Sequence, residues 1–338
     1  MLLDSSHWEM LKYNAGVLEL VDTGIPVVMG DYYYDYEHKR SETFLVDLNG
    51  DGMKDLLFCQ QSALDSTLRN WVYRLHNEDY GFGDEIMITD LSGPWASEFN
   101  DPKNMIIMDY NGDGTTDLLI NGSRDGAPSS ARYDYYYFND GMFHKGPTTN
   151  LPYYSNYLYH GLSKVIDING DGLDDVLYIM GDYESCDETG LCPYTSSMWI
   201  NTGEGFLGGE GGYPAIPLDY MSHNYYNIGF DAMVMDYNKD GISDLIIADV
   251  QPPSGTVGNP PRYEGEWLVY KGRGGYVKAS SGCDGWGGCT DEGFEEAQSL
   301  GMPFYDYAFK VHFPLVMNLD GDLLPDIGGI RPGRTGFS

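Results

Sequence analysis

Asp47, Asn49, Asp51 and Asp55 place side-chain oxygens at positions 1, 3, 5 and 9 of a nine-residue segment with Gly52 at position 6. The arrangement returns as Asp109, Asn111, Asp113, Gly114 and Asp117, as Asp167, Asn169, Asp171, Gly172 and Asp175, and as Asp236, Asn238, Asp240, Gly241 and Asp244. A degenerate fifth copy holds Asn318, Asp320, Asp322 and Asp326, with Leu323 where the glycine should be. Oxygen donors at alternate positions are the chemistry of a hard divalent cation, and Ca²⁺ takes six to eight oxygens at about 2.3–2.6 Å. Position 7, occupied by Met53, Thr115, Leu173, Ile242 and Leu324, adds a backbone carbonyl. The glycine permits the turn that folds the segment onto itself. The pattern therefore predicts four to five structural Ca²⁺ sites. The fifth is expected to be the weakest or empty, because leucine is strained at positive φ and one formal charge is lost.

A turn rich in Asp, Asn and Gly needs no metal, and one copy alone would carry little weight. Repetition in one register is what points to ligation. An EF-hand would need a bidentate glutamate at position 12, on a helix. Position 12 is instead Phe58, Ile120, Tyr178, Ile247 and Gly329. Short apolar runs flank the loops: Phe44–Val46 before and Leu56–Phe58 after the first, Met233–Met235 before and Leu245–Ile247 after the fourth. Runs of this length and composition read as buried strands, so each loop is a strand–turn–strand connection.

More than the loop repeats. Beyond each strand pair comes an aromatic strand and then a Gly/Asn turn. Examples are Trp71–Tyr73 before Tyr80-Gly81-Phe82, Tyr135–Phe138 before Asp140-Gly141, Met198–Ile200 before Asn201-Thr202-Gly203, and Trp267–Tyr270 before Gly275-Tyr276. These are hairpin signals. A segment marked by Pro94, Pro152, Pro217 or Pro303 precedes the next loop. Each unit thus holds about four short strands, the makeup of a propeller blade. The expected fold is all-β: one β-propeller domain over residues 1–338, with five repeat units. The chain opens on what reads as the second half of a unit and stops just past the first half of another. Residues 1–30 are expected to complete the last blade and close the ring, which leaves no open sheet edge. The alternative is a segment of a longer propeller.

The loops and unit length resemble the FG-GAP/VCBS repeat family, which includes the calcium-binding propeller of integrin alpha subunits. The hairpin Trp199-Ile-Asn-Thr-Gly203-Glu-Gly-Phe206 is also similar to those in propellers of Rhs/Tc-type toxins and in FG-GAP lectins. The resemblance covers essentially the whole chain. It implies calcium held at positions 1, 3, 5, 7 and 9, on the residues named above. The chain lacks an evident Phe-Gly…Gly-Ala-Pro pair, and five units are fewer than the seven usual in the family.

With 19 basic and 52 acidic residues, the net charge is −33, more than five divalent ions would neutralise. Such a field repels nucleic acid and anionic membrane. Cys186 and Cys192, and Cys283 and Cys289, form two pairs at equal sequence distance in loop-like inserts. They are expected to be disulfides, which implies an oxidising, extracellular or cell-surface location. Zinc would favour closer cysteine spacing and further ligands nearby. Cys59 is left over as a buried thiol. Met1-Leu-Leu-Asp4 meets an acid too early for a leader, so either the leader lies outside this chain or export takes another route. No run of about 18 apolar residues suggests a membrane span.

Seven histidines are scattered, and no nucleophile motif or phosphate loop occurs, so the chain reads as a binding protein with no chemistry of its own. A carboxylate pair brought together from separate blades would make it a glycosidase or lyase. The other abundant resource is 29 tyrosines and 6 tryptophans. Tyr33 and Tyr136, each the middle ring of a triple-tyrosine run, and Trp286, inside the Cys283–Cys289 loop, are the candidate ligand contacts, since strand alternation should expose some of the rings. The expected partner is a glycan or an extracellular protein, with self-association as a filament, surface layer or larger assembly as the alternative.

Overall fold

The computed structural model describes residues 7–14, 17–26, 43–61, 69–77, 81–91, 105–121, 132–152, 162–181, 194–208, 213–214, 232–251, 262–274, 294–295, 298–307, 314–317 and 326–329. The regular elements among these residues are strands, with one 3-10 turn at Thr89–Leu91, and loops and turns join them.

The chain forms an N-terminal hairpin, β1 (His7–Asn14) and β2 (Val17–Pro26), followed by four antiparallel sheets. The first holds β3 (Thr43–Val46), β4 (Asp55–Gln61), β5 (Arg69–Arg74) and β6 (Ile86–Met87). The second holds β7 (Ile106–Met108), β8 (Asp117–Asn121), β9 (Arg132–Asn139) and β10 (Met142–Pro152). In the third, β11 (Leu162–Ile166), β12 (Asp175–Gly181), β13 (Tyr194–Asn201) and β14 (Phe206–Leu207) lie in order, and β15 (Tyr213–Pro214) also pairs with β13. The fourth holds β16 (Met233–Met235), β17 (Asp244–Gln251), β18 (Arg262–Tyr270) and β19 (Gln298–Tyr307). A last pair, β20 (Pro314–Met317) and β21 (Asp326–Gly329), follows. Apart from β15, the strands of each sheet lie side by side in chain order, a meander like that of a propeller blade.

The chain divides into two compact units, one comprising residues 1–109 and 113–153 and the other residues 110–112 and 154–338. In the first, Leu57, Trp71 and Tyr73 of one sheet share a core with Leu118, Ile120, Tyr136 and Phe138 of the next. Leu56, Phe58 and Val72 occupy the opposite face of the first sheet, with Phe82 against them. In the second unit, Leu177, Ile179, Met198 and Ile200 pack with Leu245, Ile247 and Tyr270, while Ile246, Trp267 and Val269 form a separate cluster. Successive strand residues point to opposite faces, so a sheet covered on both faces needs an unbroken apolar run. That is why Leu56-Leu57-Phe58 and Leu245-Ile246-Ile247 do not alternate with polar residues. Each fully buried large apolar side chain contributes about 1.5–3 kcal/mol.

After the third strand of the first sheet, Phe82 makes one bridge to His76, and the fourth strand is Ile86–Met87. Two rings of the triple tyrosine of β9, Tyr135 and Tyr136, are buried, and the third, Tyr137, is half-buried.

Candidate metal-binding loops

Four loops lie between the first two strands of the four sheets, and each is closed by its own side chains. In the first, the Gly50 and Gly52 amides donate to Asp47 Oδ1 and Oδ2, both at 2.8 Å. Asp51 N donates to Asn49 Oδ1 at 3.1 Å and Met53 N to Asp51 Oδ1 at 2.8 Å, while Asn49 Nδ2 reaches Asp51 Oδ2 at 2.9 Å. The third loop repeats all five bonds through Asp167, Asn169 and Asp171. In the fourth, Asp240 N and Gly241 N donate to Asp236, Asp240 N also reaches Asn238 Oδ1, Ile242 N reaches Asp240 Oδ1, and Asn238 Nδ2 reaches Asp240 Oδ2. In the second, Asp113 N and Gly114 N bind Asp109, and both Thr115 N and Thr115 Oγ1 bind Asp113 Oδ1.

The glycine at position 6 is required by the backbone. Gly52, Gly114, Gly172 and Gly241 have φ of 82°, 84°, 85° and 85°, a region that L-residues avoid. Position 4 is also left-handed, at Gly50, Gly112 and Gly170, and the fourth loop forces Lys239 into that conformation at φ 63°.

Position 9 does something the spacing did not disclose. Asp55, Asp117, Asp175 and Asp244 are fully buried. Asp55 accepts from Leu48 N at 2.8 Å and from His76 N at 2.7 Å. Asp175 accepts from Ile168 N at 3.2 Å and Asn201 N at 2.7 Å, and Asp244 from Tyr237 N at 2.9 Å and Gly272 N at 2.8 Å. One oxygen closes the loop at position 2, and the other holds the end of the third strand. Asp117 accepts from Tyr135 Oη at 3.3 Å. Burial pushes the Asp175 carboxyl up to about 7 against the pull of its two amide donors, with Asp171 and Asp167 adding repulsion. Burial raises Asp55 and Asp244 in the same way. Asp51, in contact with solvent, is held below the usual carboxylate range by Met53 N–H and the Asn49 amide.

Neighbouring loops within a unit are joined. Thr116, at position 8 of the second loop, donates its N–H at 3.0 Å and its Oγ1 at 2.6 Å to the Asp47 carbonyl. Ser243, at position 8 of the fourth, donates its N–H to the Asp167 carbonyl at 3.0 Å. Tyr110 to Gly112 fold with the second unit, where Asn201 Nδ2 donates to the Tyr110 carbonyl at 2.8 Å. No feature of a single loop's spacing could reveal position 8, because its partner lies about seventy residues away.

The donors suit a hard cation. Positions 1, 3, 5 and 7 offer only oxygen, and each carboxylate oxygen that accepts one amide retains a further lone pair. Among the described residues, no three His, Cys, Asp or Glu side chains gather at one point, so ligation would rest on the Asn amide and the position-7 carbonyl beside the two outer carboxylates. Asn318, Asp320, Asp322, Leu324, Tyr33, Trp286, Cys186, Cys192, Cys283 and Cys289 lie outside the described residues; Asp326 is described only as the first residue of β21. Tyr136 is a correction. It is 2% exposed in the core of the first unit, with Lys145 Nζ 5.9 Å from its ring centroid, so its face is not open to a ligand. Tyr136 lies on the central strand β9, whose two faces are both covered.

Among the described residues no helix is long and apolar enough to cross a membrane. Residues 47–120 and 109–178 each match the family model of the FG-GAP-like repeat, and each match runs from position 1 of one loop through the next loop into the strand beyond. No curated protein matches the chain.

Proposed function

The chain carries FG-GAP-like repeats, and on that premise we propose that it is a calcium-stabilised β-propeller that acts outside the cell as a recognition module for a glycan or a protein surface. The observation that carries this reading is the recurrence of one oxygen-lined loop, with the same side-chain-to-amide bonds, between the first two strands of successive sheets. Positions 1, 3 and 5 and the position-7 carbonyl would hold the ion, while the buried aspartate at position 9 supplies a third charge. The ion would be structural: it would pin the turn and offset repulsion among carboxylates in a chain of net charge −33. Loops with two outer, solvent-facing carboxylates and one buried carboxylate fit the weak extracellular class, with dissociation constants of about 10⁻⁴–10⁻³ M.

Four meandering sheets and two further strand pairs are the makeup of propeller blades. Mammalian and bacterial glycan arrays, screened in millimolar Ca²⁺ and again in chelator, test the recognition role. Calcium-dependent retention of a defined glycan class supports it. Absence of binding to any array, together with calcium-dependent growth into higher oligomers by light scattering, would favour a structural subunit.

A further inference from the structure

We propose that the first two loops form one coupled binding pair, in which filling the second loop prepares the first, and that Thr116 is the positioning residue that couples them. The inference rests on the calcium reading above. Asp47 occupies position 1 of the first loop. Its carboxylate is organised by Gly50 and Gly52, but its carbonyl is held from outside, by the N–H and the hydroxyl of Thr116. Thr116 lies between Thr115, whose carbonyl is the position-7 donor, and the buried Asp117. Fixing Thr115 and Asp117 therefore fixes the group that holds Asp47.

A second contact runs the same way. A Cβ on Gly50 would lie 3.2 Å from the Gly114 carbonyl oxygen and 3.4 Å from Thr115 Cγ2, so positions 6 and 7 of the second loop already sit against position 4 of the first. A loop ordered by its own ion thus orders its neighbour, and the second ion meets a site whose ordering cost is already partly met. The third and fourth loops share the plan in reduced form. Ser243 N–H holds the Asp167 carbonyl, and Ile242 Cγ1 lies 3.4 Å from the Cβ position of Gly170. Coupling is a shared free energy, so the effect must be reciprocal: each loop raises the other's affinity by the same factor. Loss of one hydrogen bond of ordinary net worth corresponds to roughly three- to ten-fold.

The test is hydrogen–deuterium exchange of the full chain across a calcium titration, read separately on peptides covering residues 47–55 and 109–117. Thr116→Val removes the hydroxyl donor, Thr116→Ser keeps it, and Asp113→Asn weakens the second loop directly. The expected result is a calcium midpoint for the first loop raised about five-fold by Thr116→Val, restored by Thr116→Ser and raised again by Asp113→Asn. Asp51→Asn in the first loop should in turn raise the midpoint of the second. Calcium protection of both loops with a first-loop midpoint unmoved by Thr116→Val and Asp113→Asn overturns the coupling and leaves the calcium reading standing. Absence of calcium protection at every loop removes the calcium reading, and the coupling with it.

Discussion

Asp175 carries two buried amides, Ile168 N–H and Asn201 N–H, on a carboxylate that has no contact with solvent. Truncation to alanine leaves both donors without an acceptor, and Asp175→Ala should cost about 3 kcal/mol in urea unfolding. The same carboxyl sets a pH dependence in chelator. Its folded value of about 7 lies above the unfolded one, so the folded protein binds the proton more tightly. The stability it contributes is complete below about pH 4 and is lost as pH rises to about 7. Metal-free protein should therefore unfold at lower urea at pH 7 than at pH 5, and Asp175→Asn should flatten that difference. Lys239 is the reverse case, a residue at odds with its backbone. It sits at φ 63° where three sister loops have glycine. Lys239→Gly should relieve left-handed strain and stabilise by about 1 kcal/mol in the same assay.

At the scale of elements, the β9–β10 hairpin shows what a short sequence can specify. Asp140 and Gly141 have φ of 50° and 78°, the two positive values of a type I′ turn, and Asn139 pairs with Met142 across it. Gly141 also anchors a neighbour, since Tyr73 Oη donates to its carbonyl at 2.5 Å. Gly141→Val should cost about 1–2 kcal/mol, because a β-branched residue resists that φ; thermal unfolding measures it. The flanking strands, the aromatic third strands and this turn were legible because each depends on neighbours in sequence. The burial of Tyr136 was not, because strand alternation says which rings share a face but not whether a second sheet covers that face. Position 8 of the loops stayed hidden for a related reason: Thr116 is one of many threonines until Asp47 is brought beside it.

At the scale of the molecule, one repeat explains the layout. Each unit has two successive sheets sharing a core, and the loops that open those sheets are bonded to each other through position 8. The family match over residues 47–178 fits that period. The central claim is that these bends are held by calcium, and isothermal titration calorimetry on the chelator-stripped full chain tests it most directly. Ca²⁺ should bind at about four sites or more per chain in the 10⁻⁴–10⁻³ M range, and the melting temperature of the same sample should rise by many degrees on saturation. A titration without binding heat, on a sample whose melting temperature is the same in calcium and in chelator, would contradict the account.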